Sequence, residues 1–345
     1  MNEPRDRSRL VAFGVLIAVG ALAVAAYARY FRGQSTAAAR GATAVDSSSE
    51  LRRIAERPYL LFRNTALGPG YGRLAMVPLD AAGGTRYLTP LSCDRVHATR
   101  TGGLCLVASR GVFTSYRADA FDGNFRVYKT FPLEGVPSRA RVSLDGTAGG
   151  TTVFVAGDSY AVDTFSTRTT LFDLKGGKAL GDLEEFAVER DGRPFKRVDF
   201  NFWGVTFAAD ADLFYAVVAS QRRFYLAEGR QSTRRMRIVR EGLECPSLSP
   251  DGRRIAFKAR EYEGPRLVWR LRVVDLMTNA ESTVNETRSV DDQAEWLDVD
   301  HVLYSLPRTI EGDGSSDVWV ARVDGGGVPR VLLADAYSPT VVRAP

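Results

Sequence analysis

The chain has 345 residues, of which 45% are hydrophobic and 25% charged, a composition typical of a globular protein and unlike that of a disordered one. Its net charge of +5 comes from scattered arginines without a long basic run, which argues against a nucleic-acid-binding protein. The 32 glycines and 15 prolines are spread through the body and predict a chain rich in turns.

The first segment with a clear pattern is the apolar run Leu10–Tyr30, which follows three arginines. Its length matches the ~20 residues that a helix needs to cross a bilayer core of ~30 Å. We expect an uncleaved signal anchor at residues 10–30, with residues 1–9 as a short cytoplasmic tail. A cleaved signal peptide is the alternative, since Ala26-Tyr27-Ala28 has the small-x-small form of a cleavage site.

Residues 31–56 contain the stretch GQSTAAARGATAVDSSSE, which is small and polar and has no apolar period. Such a composition is typical of a flexible linker. This organisation predicts a single-pass protein of the inner (plasma) membrane, attached to the bilayer through residues 10–30. The folded part, residues 57–345, is then expected to be extracytoplasmic, in the periplasm or outside the cell.

Within that folded part, Leu243–Lys258 (LECPSLSPDGRRIAFK) has the clearest local pattern. Pro250 presets φ, Asp251 can bond its own backbone two residues on, and Gly252 supplies the positive φ that closes a turn. After the turn, apolar and polar residues alternate with a period of two, as in a half-buried strand. The stretch therefore predicts a β-hairpin.

Similar strand–turn–strand segments recur at intervals of roughly 45–60 residues, the range expected of propeller repeats. Each continues into a third and a fourth strand, which makes five four-stranded units from Arg57 onward. The five units start at Cys93, Ser138, Lys196, Glu244 and Gln293.

Two remainders complete a sixth unit. Near the start, PYLLFRNT, GRLAMVPLDAAGG and TRYLTPL supply three strands of a unit that lacks its first strand, and Tyr337–Arg343 is a first strand with no others. Joining them closes a ring, which removes open sheet edges that would promote aggregation. The predicted fold is all-β, a six-bladed β-propeller whose C-terminal strand closes the first blade, preceded by one N-terminal transmembrane helix.

The repeat resembles that of the TolB-like propellers, in which strand–SPDG–strand is followed by a third strand ending in Asp and a glycine turn. SLSPDGRRIAFKA with WRLRVVDLMTN carries the resemblance most clearly, and AEWLDVDHVLYSLP with DVWVARVDGGGVPRVL also matches. The resemblance implies a bacterial, extracytoplasmic propeller whose usual role is contact with other proteins, without implying membership of the Tol system. TolB-type proteins carry a separate N-terminal α/β domain, whereas blades follow the predicted anchor directly in this sequence.

Cys93 and Cys105 lie twelve residues apart on predicted neighbouring strands. Adjacent antiparallel strands could bring them within disulfide reach, and the closed loop would stabilise the fold by ~3 kcal/mol. Two free, buried cysteines are the alternative. Cys245 stands at the equivalent blade start and is expected to be a structural thiol. No metal site is predicted, because a three-cysteine site would lack a nearby histidine.

The first strands of a propeller line its central channel, so their polar residues are candidates for ligand binding. Asp291 and Asp292 could hold Ca²⁺ or have split pKa values. Alternatively, the acids pair with arginines of neighbouring blades, among them Arg141. The predicted ligand-binding residues are Arg95, Arg139, Asp199, Asn201, Asp291, Asp292 and Gln293.

Other residues have simpler interpretations. His97 and His301 are the only histidines, and we expect them to be ordinary strand and turn residues. Trp203 and Trp296 are expected to pack between blades, with Gly204 allowing a close approach of backbones. The loop at Glu311–Asp317 only loosely resembles a calcium loop.

No catalytic residue and no cofactor are predicted, since the sequence contains no G-x-S-x-G elbow and no evident pairing of a nucleophile with a base. We therefore expect a non-catalytic propeller that binds a protein, a peptide or a polymer of the cell envelope, and not nucleic acid. Two alternatives remain open. One is an enzyme at the channel mouth, a lyase or hydrolase acting on sugars or lactones, and the other is a sensor of small ligands.

Overall fold

The computed structural model describes residues 44–155, 166–308 and 314–343, together with positions 13, 17, 18 and 20–22. Among these residues, no helix is both long enough and apolar enough to cross a membrane. The predicted anchor at residues 10–30 lies almost entirely outside the described part of the chain, and so does the start of the acidic loop at 311–317.

The described residues form six sheets, which are the blades of a propeller, and the all-β six-bladed prediction is confirmed. In blades 1 to 3, neighbouring strands pair antiparallel except for one short parallel pair at the outer edge of blade 1. Blade 1 contains β1 (Ala44–Val45), β2 (Tyr59–Asn64), β3 (Arg73–Pro78), β4 (Arg86–Ser92) and β27 (Ala336–Val342). Blade 2 contains β5 (Arg95–Thr99), β6 (Gly102–Ser109), β7 (Ser115–Asp122) and β8 (Val127–Leu133). Blade 3 contains β9 (Val136–Val142), β10 (Ala148–Val155), β11 (Ser166–Asp173) and β12 (Lys178–Asp182).

Blades 4 to 6 complete the ring, and short 3-10 helices occur at Leu79–Ala81 and Leu183–Glu185. Blade 4 contains β13 (Ala187–Arg190), β14 (Arg193–Pro194), β15 (Asn201–Phe207), β16 (Leu213–Ser220), β17 (Arg223–Arg230) and β18 (Arg235–Glu241). Blade 5 contains β19 (Glu244–Leu248), β20 (Arg254–Glu263), β21 (Arg266–Asp275) and β22 (Glu281–Thr283). Blade 6 contains β23 (Glu295–Trp296), β24 (His301–Pro307), β25 (Ser316–Arg322) and β26 (Arg330–Leu333).

The ring closes through blade 1, where the last strand pairs with strands from the start of the fold. β27 pairs antiparallel with β2, with Tyr59 opposite Val342 and Leu61 opposite Thr340. The inner strands of the six blades, β5, β9, β15, β19, β23 and β27, contact one another in a closed cycle. The predicted closure by the C-terminal strand is therefore confirmed.

The linker predicted at residues 31–56 needs a correction at its C-terminal end. β1 pairs parallel with β4, and helix α1 (Ser48–Ala55) follows it. The Ser47 hydroxyl caps α1 by accepting a hydrogen bond from the backbone N–H of Glu50 at 3.4 Å. Ile54 is 0% exposed and packs against blades 1 and 2. Leu51 and Ala55 pack beside Ile54, so one cap and a short apolar face dock a segment whose composition is otherwise that of a linker.

Blade 4 departs from the simple repeat because the chain reaches its outer edge before its inner strand. After the 3-10 helix at Leu183–Glu185, β13 pairs parallel with β18, and β14 then forms the outer edge of the sheet. The chain then returns to the channel, and the inner strand β15 begins at Asn201, not near Lys196 as predicted. This longer connection shifts which polar residues reach the channel.

Large apolar side chains fill the spaces between neighbouring blades. Trp296 of blade 6 is buried, and its indole N–H donates to the Ser247 carbonyl of blade 5 at 2.8 Å. Trp203 packs with Phe224 and Cys245. Gly204 has a φ of +68°, and a Cβ at this position would lie 2.9 Å from the Cys245 Cα. The expected close approach of two backbones beside Trp203 is therefore present.

A disulfide joins Cys93 to Cys105, with the two Cα atoms 5.3 Å apart. Cys93 lies just before the inner strand β5, and Cys105 lies within β6. Both residues are buried in the core shared by blades 1 and 2. The covalent link therefore joins the connection that leaves blade 1 to the body of blade 2. Cys245 is a buried free thiol.

Candidate functional site

The central channel has two open ends separated by a constriction. We call the side on which the inner strands begin the N-face and the side on which they end the C-face. A cavity of about 480 Å³ opens on the N-face, lined by residues near strand starts such as Arg95 and Tyr337, and we call it the mouth cavity. A second cavity, of about 570 Å³, opens on the C-face and is lined by residues near strand ends, such as Thr99 and Val341.

A layer of polar side chains, which we call the plug, separates the two cavities and leaves a void of only about 20 Å³. Arg95 of blade 2 and Asp292 of blade 6 form an ion pair in this layer, with Nη1 3.0 Å from Oδ1. The Arg95 guanidinium also stacks over the ring of Tyr337 at 4.3 Å. The plug is formed by Arg95, Arg139, Arg141, Asp292, Gln293 and Ser338.

The plug connects blades that are not neighbours. Gln293 of blade 6 donates from Nε2 to the carbonyls of Val205 in blade 4 and Pro246 in blade 5, at 3.2 and 2.7 Å. Burial alone would raise the pKa of Asp292, but Arg95 and other nearby cations lower it below its ordinary value. Asp292 therefore stays ionised inside the channel, where its role is to hold Arg95.

His97 lies on the C-face side of the plug. Its Nδ1 accepts a hydrogen bond from the backbone N–H of Val142 at 3.1 Å, so the proton of the neutral ring is on Nε2, which lies 3.5 Å from Glu295 Oε2. Burial lowers the pKa of His97, and the nearby Arg141 lowers it further. Both ring nitrogens are therefore occupied by structural partners, and neither is placed to activate a hydroxyl group.

Glu295 shares this buried cluster. Burial would raise the pKa of Glu295, but Arg141 and His97 lower it to about 2. One of its carboxylate oxygens accepts the backbone N–H of Val341 at 3.2 Å. The cluster holds inner strands of four blades together, which is the structural role expected for His97.

The mouth cavity combines aromatic walls with paired charges. Lys258 Nζ lies 2.5 Å from Asp291 Oδ1 and 4.9 Å from the Trp269 ring centre. Arg260 Nε lies 2.5 Å from Glu244 Oε1. The aromatic lining residues are Phe154, Trp203, Trp269 and Tyr337, the basic ones are Arg95, Arg139, Lys258 and Arg260, and the acidic ones are Glu244 and Asp291.

Five of the seven predicted ligand-binding residues come together at the channel. Arg95, Arg139 and Asp291 line the mouth cavity, while Asp292 and Gln293 lie in the plug. Asp291 and Asp292 each face a cation, Lys258 and Arg95 respectively. The arrangement is therefore the one in which acids and bases of different blades pair.

Asp199 and Asn201, the other two predicted residues, are not among the residues that line the mouth cavity or form the plug. Asp199 accepts hydrogen bonds from the Ser220 hydroxyl and the Gln221 N–H at 2.8 and 2.7 Å, and so fixes a hairpin within blade 4. Asn201 Oδ1 accepts from the N–H and hydroxyl of Thr167, which joins blade 4 to blade 3. Because β15 begins at Asn201, the residues before it belong to the crossing connection.

Sequence patterns did not identify three of the lining residues: Lys258, Arg260 and Trp269. They lie on the second and third strands of blade 5, whereas the ligand-binding residues were predicted on first strands. These two strands are each ten residues long, and no other described strand is longer than eight. The length of the RIAFKAREYE–RLVWRLRVVD hairpin was the signal that could have identified them.

Comparison with known proteins agrees with the fold. No protein-family model and no curated protein sequence matches the chain. The structure resembles TolB from Acinetobacter baumannii, at 15% identity over 84% of this chain and 67% of that one, with a TM-score of 0.57. It also resembles a chain of the nidogen/laminin complex, at 10% identity over 83% of this chain and 98% of that one, with a TM-score of 0.53.

A lower TM-score, 0.44, relates the chain to a periplasmic gluconolactonase from Pseudomonas aeruginosa, at 14% identity over 84% of this chain and 99% of that one. At identities this low, likeness establishes the fold alone. The chain has the six-bladed arrangement of TolB-like propellers, as its repeat motifs predicted.

Proposed function

We propose that this chain is a non-catalytic propeller that binds a protein partner on its N-face, with the mouth cavity at the centre of the contact. The observation that carries the proposal is the set of exposed apolar side chains on the same face as that cavity. β6 and β20 run antiparallel to the inner strands beside them, so the hairpins that follow them lie on the N-face. Phe113 and Tyr262, in these hairpins, are 88% and 71% exposed.

A third apolar side chain on this face is Val198, which precedes β15 and is 90% exposed. Exposed aromatic side chains around a cavity are characteristic of surfaces that dock another protein, because aromatic residues are enriched at protein interfaces. The blades hold these hairpins rigidly, so a partner binds without ordering them.

The charges of the mouth cavity support binding in preference to catalysis. A general acid at neutral pH needs a raised pKa, whereas Lys258 and other nearby cations lower the pKa of Asp291 despite the opposing effect of burial. Glu244 is likewise paired, with Arg260. The lining carboxylates are therefore used to hold basic side chains in place.

The test compares two double variants of the full-length chain in crosslinking captures from intact membranes. Phe113→Ser/Tyr262→Ser alters the N-face, and Leu144→Ser/Met277→Ser removes exposed apolar side chains from turns on the C-face. We expect the first pair to reduce recovery of one particular protein at least tenfold and the second pair to leave it unchanged. Equal recovery with both pairs would contradict docking on the N-face. Recovery of no protein, with a small molecule retained by the purified chain, would favour the enzyme or sensor alternative.

We also propose that residues 10–30 anchor the protein in the bacterial inner membrane with the propeller outside the cytoplasm. The length of the apolar run supports the anchor, and the Cys93–Cys105 disulfide supports an oxidising compartment. In intact cells, a membrane-impermeant thiol reagent should label a Met277→Cys variant, whose new thiol replaces an exposed side chain, but not the wild type, whose cysteines are buried. Full protection of the variant, with labelling only after lysis, would place the propeller in the cytoplasm.

A further inference from the structure

We propose that the mouth cavity receives a carboxylate group of the protein partner at Arg139, with the apolar part that carries it held between the aromatic walls. This inference rests on the proposed function and specifies the chemistry of the contact. It follows from three features of the cavity: an unmatched cation, an unfilled hydrogen-bond donor and an aromatic lining.

The first feature is the charge balance. Among the described residues that line the cavity, Lys258 is paired with Asp291 and Arg260 with Glu244, both at 2.5 Å. Arg95 is paired with Asp292 at 3.0 Å. The fourth cation, Arg139, lies 3.8 Å from Asp291, which Lys258 already holds, and it shares the charge of Asp292 with Arg95. Arg139 is thus the surplus positive charge of the site.

The second feature is the hydrogen bonding of Arg139, whose side chain is 11% exposed. Its Nη1 donates to the Ser138 carbonyl at 2.9 Å and its Nη2 to the Asp291 carbonyl at 3.4 Å. Its Nε has no acceptor among the described residues. Arg139 shares its counter-ions with other cations and has an unused donor, so an anionic acceptor would bind favourably there. A carboxylate matches the planar donors of arginine.

A water molecule bound in the plug would not take over the role of this anion. The plug void of about 20 Å³ is large enough for a single water molecule, and the unpaired Oε1 of Gln293 faces the same layer. A water there could satisfy Gln293 and the Nε of Arg139, but it carries no charge. The basic side chains at the cavity would still outnumber the acidic ones by one, and a ligand entering from the mouth cavity can supply the missing negative charge.

The third feature is the aromatic lining, which selects the ligand class. Trp203, Trp269, Tyr337 and Phe154 give the cavity walls that an apolar side chain can contact. One surplus positive charge matches a carboxylate, whereas a doubly charged phosphate would bring excess negative charge. A protein partner is favoured over an acidic polysaccharide because Phe113 and Tyr262 are exposed on the same face as the cavity.

The experiment uses the purified full-length protein and two probes that differ only in charge: N-acetylphenylalanine, which has a carboxylate, and its neutral amide. Affinity is measured by calorimetry and by the fluorescence of the tryptophans, two of which line the cavity. We expect the carboxylate probe to bind at least tenfold more tightly than the amide. Arg139→Gln should remove this preference, and Arg253→Gln, a control at an exposed arginine of the C-face, should preserve it.

Arg139→Lys provides a second variant if the glutamine variant does not fold. Lysine keeps the positive charge but lacks the planar guanidinium group. We therefore expect the carboxylate probe to bind more weakly than to the wild type but still more tightly than the amide. Equal affinity of the wild type for both probes would overturn the proposal, as would an unchanged preference in a folded Arg139→Gln variant. Arg139-dependent binding of oligogalacturonate, without binding of acidic peptides, would overturn the assignment to a protein ligand.

Peptides with an internal aspartate and an amidated C-terminus, compared with peptides that have only a free C-terminus, identify which carboxylate is used. The capture experiment separates this inference from the proposed function. If Phe113→Ser/Tyr262→Ser abolishes capture but Arg139→Gln does not, docking on the N-face stands and the carboxylate site is wrong. If neither changes capture, the proposed function itself fails.

Discussion

Arg141 of blade 3 and Glu295 of blade 6 meet across the channel, with Nη1 3.4 Å from Oε2. These blades are opposite each other in a ring of six, so the ion pair spans the full width of the channel. Arg141 also donates from Nη2 to the Ala294 carbonyl at 2.6 Å. Both side chains are buried, and the contact joins two blades that are not neighbours in the ring.

We expect Arg141→Met to destabilise the fold by about 3–5 kcal/mol, because it leaves Glu295 buried without its counter-ion. The double variant Arg141→Met/Glu295→Met should be more stable than the sum of the two single losses, since no charge then remains unpaired. Urea unfolding of the four proteins measures this coupling. Additive losses would show that the pair contributes no interaction across the channel.

The same cluster predicts how stability depends on pH. Burial lowers the pKa of His97 in the native state below its ordinary value of 6.5, so the unfolded chain binds a proton that the native chain does not. Stability should therefore decrease as the pH falls below about 6.5. Glu295, with a pKa of about 2 in place of 4.5, should add a second decrease as the pH falls below 4.5.

Melting temperatures measured between pH 8 and pH 3 test these two steps. His97→Gln should flatten the upper step and leave the lower one, and Glu295→Gln should flatten the lower step. A wild-type profile that is level from pH 7 to pH 5 would show that His97 does not titrate as its surroundings predict.

Two glycines with the same backbone conformation should respond differently to alanine. Gly252, in the SPDG turn, has a φ of +71° and open space where a Cβ would lie, so Gly252→Ala should cost about 1 kcal/mol for backbone strain alone. Gly204 has a similar φ, but its Cβ would meet the Cys245 backbone at 2.9 Å. We expect Gly204→Ala to cost at least twice as much, measured by thermal unfolding. Equal losses would mean that blades 4 and 5 can separate easily at this point.

The disulfide should contribute measurably to stability. In the chain-entropy account, opening the loop closed by Cys93 and Cys105 costs about 3 kcal/mol. Cys93→Ala/Cys105→Ala should therefore unfold at a lower urea concentration, and reductant should shift the wild type but not the variant. A wild type insensitive to reductant, under conditions in which the thiols are shown to be free, would contradict this contribution.

The ring was predictable from the sequence because its turns are local. Pro250, Asp251 and Gly252 specify a turn by their own backbone preferences, and the alternation after them fixes a strand. The closure of blade 1 was predictable for a different reason: Tyr337–Arg343 lacked partners, and the N-terminal unit lacked a first strand. Both inferences need only neighbouring residues and a count of strands.

The site was harder to predict because it depends on how far elements project from the ring. Asp199 precedes the inner strand of blade 4, because the chain first forms β13 at the outer edge. No local sequence pattern predicts the parallel pairing of β13 with β18. Lys258 and Trp269 reach the mouth cavity because the hairpin of blade 5 is long. α1 was not predicted because its apolar side chains, Leu51, Ile54 and Ala55, are few and follow a polar stretch.

The pairing of β2 with β27 also sets an order of events during synthesis. Tyr59 is opposite Val342, so one edge of β2 has no partner until β27 has been made, although its other edge can pair with β3 early. Five blades can form from contiguous chain, but blade 1 stays incomplete, with one edge of β2 exposed, until β27 is available. Contacts so distant in sequence form slowly, and the exposed edge of β2 is where a nascent chain would need a chaperone.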